Sequence, residues 1–153
     1  MNSKFRFYIE HLEPKFQALV SMETVKVTSL PASMPQAGVY VVYETGKPLY
    51  VGRTNRMKAR LKYHSSERAN DAPFAFRLAR EATGRTKASY QKKESRGDLL
   101  SMPKFRKAFA DAKARIRAMD IRFTEESDQV RQALLEIYIA VLLDAPYNDF
   151  KTH

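Results

Sequence analysis

Apolar positions recur along the first part of the chain at Phe5, Tyr8, Ile9, Leu12, Phe16, Leu19 and Val20. That spacing predicts an amphipathic helix over residues 4–22, interrupted near Pro14, with Ser3 as its N-cap. Residues 25–30 read as a short extended segment, and residues 31–35 (PASMP) as a linker. Val and Tyr then crowd residues 38–43, which predicts a strand, with residues 49–53 as its hairpin partner. A three-residue loop, Glu44-Thr45-Gly46, would place Gly46 at the left-handed position and set Tyr40 opposite Tyr50, with both rings on one face. A two-residue loop, Thr45-Gly46, would pair Tyr40 with Val51 and send the tyrosines to opposite faces. The first register is the expectation.

The pattern then turns helical. Asn55 is the expected N-cap of a helix over residues 56–65, on which Arg60 and His64 stand four apart on one face. Residues 74–82 read as a further helix ended by Gly84. Residues 84–102 are polar and predict a mobile basic loop. Residues 104–114 read as helix and residues 116–123 as strand, most clearly residues 119–123. Ser127 or Asp128 is the expected cap of a last helix reaching Leu143, stopped by Pro146. From Ala133 this helix runs ALLEIYIAVLL, apolar all round and so expected to be buried. Glu136 lies in its middle without a cation on its own helix. A buried carboxylate needs a partner from elsewhere: an arginine, a hydroxyl or a divalent metal.

Composition narrows the class. The chain has 153 residues, enough for one ordinary domain, and a formal charge of +10. That excess favours a polyanionic partner. There is no cysteine, which excludes disulfides and thiolate metal sites and is compatible with a cytoplasmic location. No apolar run is long enough for a signal peptide or a membrane span.

The ordered set of polar positions carries the chemistry. Gly38-Val39-Tyr40, Tyr50-Val51-Gly52, Arg60 eight residues past that glycine, His64, Glu136 and Asn148 after Pro146-Tyr147 together resemble the GIY-YIG endonuclease family, with valine for both namesake isoleucines. The match spans residues 38–148 of a single domain, with residues 1–37 preceding it and residues 65–115 as a basic insert that maps on no family motif. The resemblance implies an α+β fold with a small mixed three-stranded sheet flanked by helices. It implies metal-dependent hydrolysis of phosphodiester bonds in DNA, with Mg²⁺ or Mn²⁺ held by Glu136. Arg60 would grip the phosphate and Tyr50 would position it or the attacking water. Tyr40, made more acidic by nearby positive charge, would be the general base, with His64 orienting it or exchanging roles with it. Gly38, Gly52 and Asn148 are expected in structural support. Arg53, Arg56, Lys87, Lys92, Lys93 and Arg96 are expected on the DNA backbone. A partner protein or an oligomer would supply targeting. The competing reading is a non-catalytic nucleic-acid-binding module on the same fold.

Overall fold

The computed structural model describes residues 1–66, 72–84 and 96–151. The chain forms an α+β fold built as two compact units, Met1–Arg60 with Met119–His153, and Leu61–Ala118.

The first unit holds a four-stranded sheet in the order β1-β4-β2-β3, where β1 is Val25–Lys26, β2 Gly38–Glu44, β3 Lys47–Thr54 and β4 Asp120–Glu125. Every neighbouring pair is antiparallel, so the mixed three-stranded sheet is corrected on both strand number and direction. The extended segment expected at residues 25–30 is extended only at its start: Val25–Lys26 pair as β1, and Val27–Ser29 form a short 3-10 helix.

One sheet face carries Val39, Val41, Tyr43 and Val51, which form a core with Leu19 of α2 (Leu12–Ser21) and Leu135, Ile139 and Ala140 of α7 (Gln129–Leu142). The N-terminal helix breaks at Glu10-His11 rather than at Pro14: α1 is Ser3–Ile9, capped by the Asn2 side chain. Pro14 falls in the first turn of α2, where a missing N–H costs nothing. Asp128 caps α7, its carboxylate accepting from the Arg131 N–H at 2.9 Å. This helix is not enclosed all round. It buries Gln132, Leu135, Ile139 and Ala140, while Val130, Ile137, Val141 and Leu142 are exposed.

The β2–β3 hairpin departs from its expected register. Glu44 pairs with Lys47 across a two-residue turn, with positive φ at both Thr45 (49°) and Gly46 (81°). That is the turn whose twist matches paired strands. Tyr43 then pairs with Pro48, but Val42 pairs with Tyr50, so Leu49 is an extra residue in a β-bulge. Pro48 has no N–H to give the ladder, and a bulge is where a strand tolerates that loss. The bulge shifts parity by one. Tyr40 therefore faces Gly52, Val42 faces Tyr50, and the two tyrosines share a face by a route the loop length alone would have excluded.

The edge of β3 is closed by the C-terminal segment. Asn148 accepts from the Val51 N–H and donates to the Val51 carbonyl, both at 2.8 Å, and the Tyr147 N–H donates to the Leu49 carbonyl at 3.0 Å. One side chain thus satisfies both backbone groups of an edge residue. Asn148→Ala should lower stability by about 2 kcal/mol, roughly one for each bond, read from the urea midpoint. An unchanged midpoint would mean that water replaces the amide without cost.

The second unit contains α4 (Pro73–Ala82), α5 (Arg96–Ser101) and α6 (Pro103–Arg117). Its buried residues include Phe74, Phe76, Leu78, Leu99, Phe105, Phe109 and Ile116. Residues 96–101, expected within a mobile loop, are helical, and Leu99 is fully buried. Residues 85–95, the rest of that expected loop, lie outside the described residues. Helix α3 (Met57–Tyr63) spans the boundary between the units.

Candidate active site

The site is assembled from three stretches of the first unit: the hairpin, the start of α3 and the middle of α7. Tyr40 and Tyr50 lie with ring centroids 6.2 Å apart and planes tilted by 57°. Tyr40 is completely buried, and its ring lies over Gly52: a Cβ added there would meet the Tyr40 hydroxyl and Cζ at 2.4 Å. Gly52 is thus the floor on which Tyr40 rests. Gly38 is needed for a different contact, since a Cβ there would lie 2.0 Å from the Thr124 carbonyl oxygen of β4.

The Arg60 side chain reaches both tyrosine hydroxyls. Its guanidinium favours their ionised forms, yet burial outweighs it and pushes the Tyr40 hydroxyl well above the ordinary tyrosine range, with Tyr50 and Glu136 adding to the rise. Burial raises Tyr50 in the same way, opposed by Arg60. The expectation that positive charge makes Tyr40 more acidic is therefore corrected. A phenolate in a low-dielectric interior costs more than one half-buried guanidinium returns.

Glu136 has the partner that its position demanded. Its Oε2 accepts from Arg53 Nε at 3.0 Å, and the carboxylate side chain keeps 25% of its surface exposed. Arg53, expected on the DNA backbone, forms this ion pair while 43% of its side-chain surface stays exposed. Loss of hydration lifts the Glu136 carboxyl above its ordinary range, and Arg53 offsets only part of the rise. An acid with a raised folded-state pKa contributes most to stability at low pH and loses that contribution as pH climbs through its folded pKa. Without divalent metal, Glu136→Gln should therefore melt at a higher temperature than the native chain at neutral pH, since glutamine keeps an acceptor for Arg53. The difference should close below about pH 4, where glutamate is also neutral. A gain that persists at low pH would trace it to some other cause than the charge.

Two glutamines that the sequence did not single out hold these parts in place. Asn55, expected as the cap of α3, turns its side chain toward them. Its Oδ1 accepts from Gln129 at 2.7 Å and from Gln132 at 2.9 Å. Thr54 Oγ1 takes the Arg56 N–H at 2.9 Å instead. Gln132, almost wholly buried, also donates to the Glu126 carbonyl at 2.7 Å. This clamp lies one helical turn before Glu136 and pins α7 to the turn between β3 and α3, which sends out Arg53 and Arg60. A glutamine one turn ahead of the carboxylate, on an otherwise apolar helix, was its only trace in the sequence.

Helix α3 ends at Tyr63, so His64 is the residue just past its last turn. His64 belongs to the second unit, where it is buried with its ring edge-on to Phe74, centroids 6.4 Å apart. Arg56 is exposed. Arg96 sits over the Phe76 ring at 5.0 Å. Lys87, Lys92 and Lys93 lie outside the described residues.

The donor set fits a hard divalent cation. Glu136 offers one partly hydrated carboxylate whose Oε1 takes no hydrogen bond among the described residues. Mg²⁺ binds in that manner, through one or two carboxylates, with waters and substrate phosphate oxygens completing its shell. Among the described residues no group of three or more His, Asp or Glu forms a cage, so an ion held here would depend on its substrate for part of its shell. No protein-family model, curated protein or solved structure matches the chain.

Proposed function

We propose that the chain is a metal-dependent DNA endonuclease of the GIY-YIG type, with Mg²⁺ or Mn²⁺ at Glu136. The observation that carries the reading is the approach of Arg60 to both tyrosine hydroxyls within the electrostatic reach of Glu136. Two tyrosines buried for packing alone would not need a guanidinium at both hydroxyls and a half-buried carboxylate nearby.

In this reading Arg60 grips two non-bridging oxygens of the scissile phosphate and stabilises the charge that builds on them. Tyr50, half-buried, meets the substrate from the open side and orients the phosphate or the attacking water. Tyr40 keeps its proton at neutral pH in the metal-free chain. It acts there as an orienting hydroxyl and accepts the proton of the attacking water only where added cationic charge has ionised it. Glu136 would hold the cation through a carboxylate oxygen, and the cation would supply Lewis acidity for departure of the leaving group. Arg53 holds the other carboxylate oxygen, or is released to the DNA.

The Arg53–Glu136 pair also favours the binding-only reading, because an ion pair satisfies Glu136 without any metal. Supercoiled plasmid and branched DNA incubated with Mg²⁺, Mn²⁺ or EDTA, beside Glu136→Ala, separates the two. Metal-dependent nicking that is lost in the variant is the expected result. DNA binding without cleavage on any substrate would sink the nuclease reading and leave the module.

A further inference from the structure

The charge of the chain is divided unevenly between its two units. Residues 61–118 hold 15 Lys and Arg against 6 Asp and Glu, a net +9 of the total +10. The remaining residues hold 12 against 11, a net +1. The unit with the candidate chemistry is almost neutral, and the excess that first suggested a polyanion lies elsewhere.

Helix α6 displays that excess in an ordered way. Phe105, Phe109, Ala112 and Ile116 form its buried stripe. On the exposed side, Lys104, Lys107 and Arg115 follow one another along a row that continues into the groove beside Ala82 and Thr83 at the end of α4. The row is interrupted by a single acid, Asp111, which Lys107 meets at 2.9 Å. From Lys104 to Arg115 the helix advances about 16 Å at 1.5 Å per residue. One strand of duplex DNA presents about five phosphates over that length.

We infer that this face of α6 is a docking surface for the sugar–phosphate backbone of duplex DNA, read without regard to sequence. The other polyanions fit it less well. An amphipathic helix that binds an anionic membrane needs large apolar side chains to insert beside its cations. Among the described residues, every exposed large apolar side chain belongs to the first unit. Single-stranded nucleic acid is held by aromatic platforms on which bases stack, and both phenylalanines of α6 are buried. A row of exposed cations on a rigid helix suits a rigid lattice of phosphates. The inference rests on the nuclease reading only for naming the polyanion as DNA.

The test is the salt dependence of binding to a labelled duplex, measured by fluorescence anisotropy. The chain is compared with the triple variant Lys104→Gln, Lys107→Gln, Arg115→Gln, whose fold is checked by circular dichroism. Removing one cation from a phosphate should reduce the slope of log K against log salt by about 0.9, hence about 2 to 3 for the three. A control with the same charge change in the first unit, Lys4→Gln, Lys47→Gln, Lys151→Gln, should leave the slope nearly unchanged. An equal reduction in both variants would overturn the inference, because net charge and not this face would then be responsible. An unchanged slope in the α6 variant would overturn it too, as would loss of binding to phosphatidylserine vesicles with duplex binding intact. The nuclease reading is judged separately, by cleavage. A chain that never cuts DNA yet shows the reduced slope in the α6 variant keeps the docking surface and loses the nuclease.

Discussion

Arg60→Ala should hold duplex DNA nearly as well as the native chain and cut it about 100- to 1,000-fold more slowly, the usual loss when one preorganised donor to a developing oxyanion is removed. The position of Arg60 is the reason. It is half-buried, it reaches the hydroxyls of Tyr40 and Tyr50, and it opposes the rise that burial imposes on both. A single guanidinium thus has two tasks, to clamp phosphate and to make the tyrosines less reluctant acids. The second gives a readout that does not need cleavage. With Arg60 gone, the Tyr50 hydroxyl should titrate at higher pH, because both the charge of Arg60 and its hydrogen bond lower it. Arg60→Lys should restore part of that titration but little of the rate, since an ammonium is a point charge without the two-pronged geometry. A wild-type cleavage rate in Arg60→Ala would remove the phosphate clamp from the scheme, whatever the tyrosines do.

Gly38→Ala should destabilise the fold by about 3 kcal/mol, at the upper end of what overpacking costs. Its Cβ would stand 2.0 Å from the Thr124 carbonyl oxygen, 3.0 Å from the carbonyl carbon and 3.1 Å from Glu125 Cα. All three are backbone atoms, so no side-chain rotation relieves the clash. The first residue of β2 would have to part from the end of the β4 ladder, where Gly38 pairs with Glu125 and the Glu126 N–H donates to the Ala37 carbonyl at 3.0 Å. Gly52→Ala makes an instructive contrast. Its clash is with the Tyr40 ring, which can shift at the expense of the site. It should cost less stability than Gly38→Ala and impair cleavage more. Urea midpoints for the two variants, with amide exchange at Val39, check the order. A Gly38→Ala chain as stable as the native one would show that the β2–β4 pairing opens there without penalty.

Much of the scaffold was legible because helices and strands declare themselves by local periodicity. The residues of α4, α6 and β4 were found to within a few positions, and Asp128 was one of two caps proposed for α7. Boundaries failed where a side chain had a better distant partner. Asn55 is a fine cap by type, but Gln129 and Gln132, more than seventy residues away, claim it. The helical residues 96–101 were missed, and the extended segment at residues 25–30 gave no sign of its sheet partner, because packing, not pattern, makes both ordered.

The two tyrosines show where local reading ends. That they share a face was expected from a three-residue loop, and they do share one, through a two-residue turn and a bulge at Leu49. Glu136 shows the same limit in energetic form. Its need for a partner could be stated from an apolar helix alone, but the arginine on β3 that meets it belongs to a stretch eighty-three positions earlier.

By itself, then, the sequence determined most of the helices and three of the strands, the polar residues available for chemistry, the lack of thiols and the positive charge, since all of these are properties of composition or of neighbours within a turn or two. Only the tertiary structure decided the fourth strand, the parity of the hairpin, the pairing of Arg53 with Glu136, the high pKa of Tyr40 and the placing of nearly all the net charge in residues 61–118 as a unit. Each of these depends on which distant segments exclude water from one another, and burial of that kind is a property of the packed chain that no local pattern records.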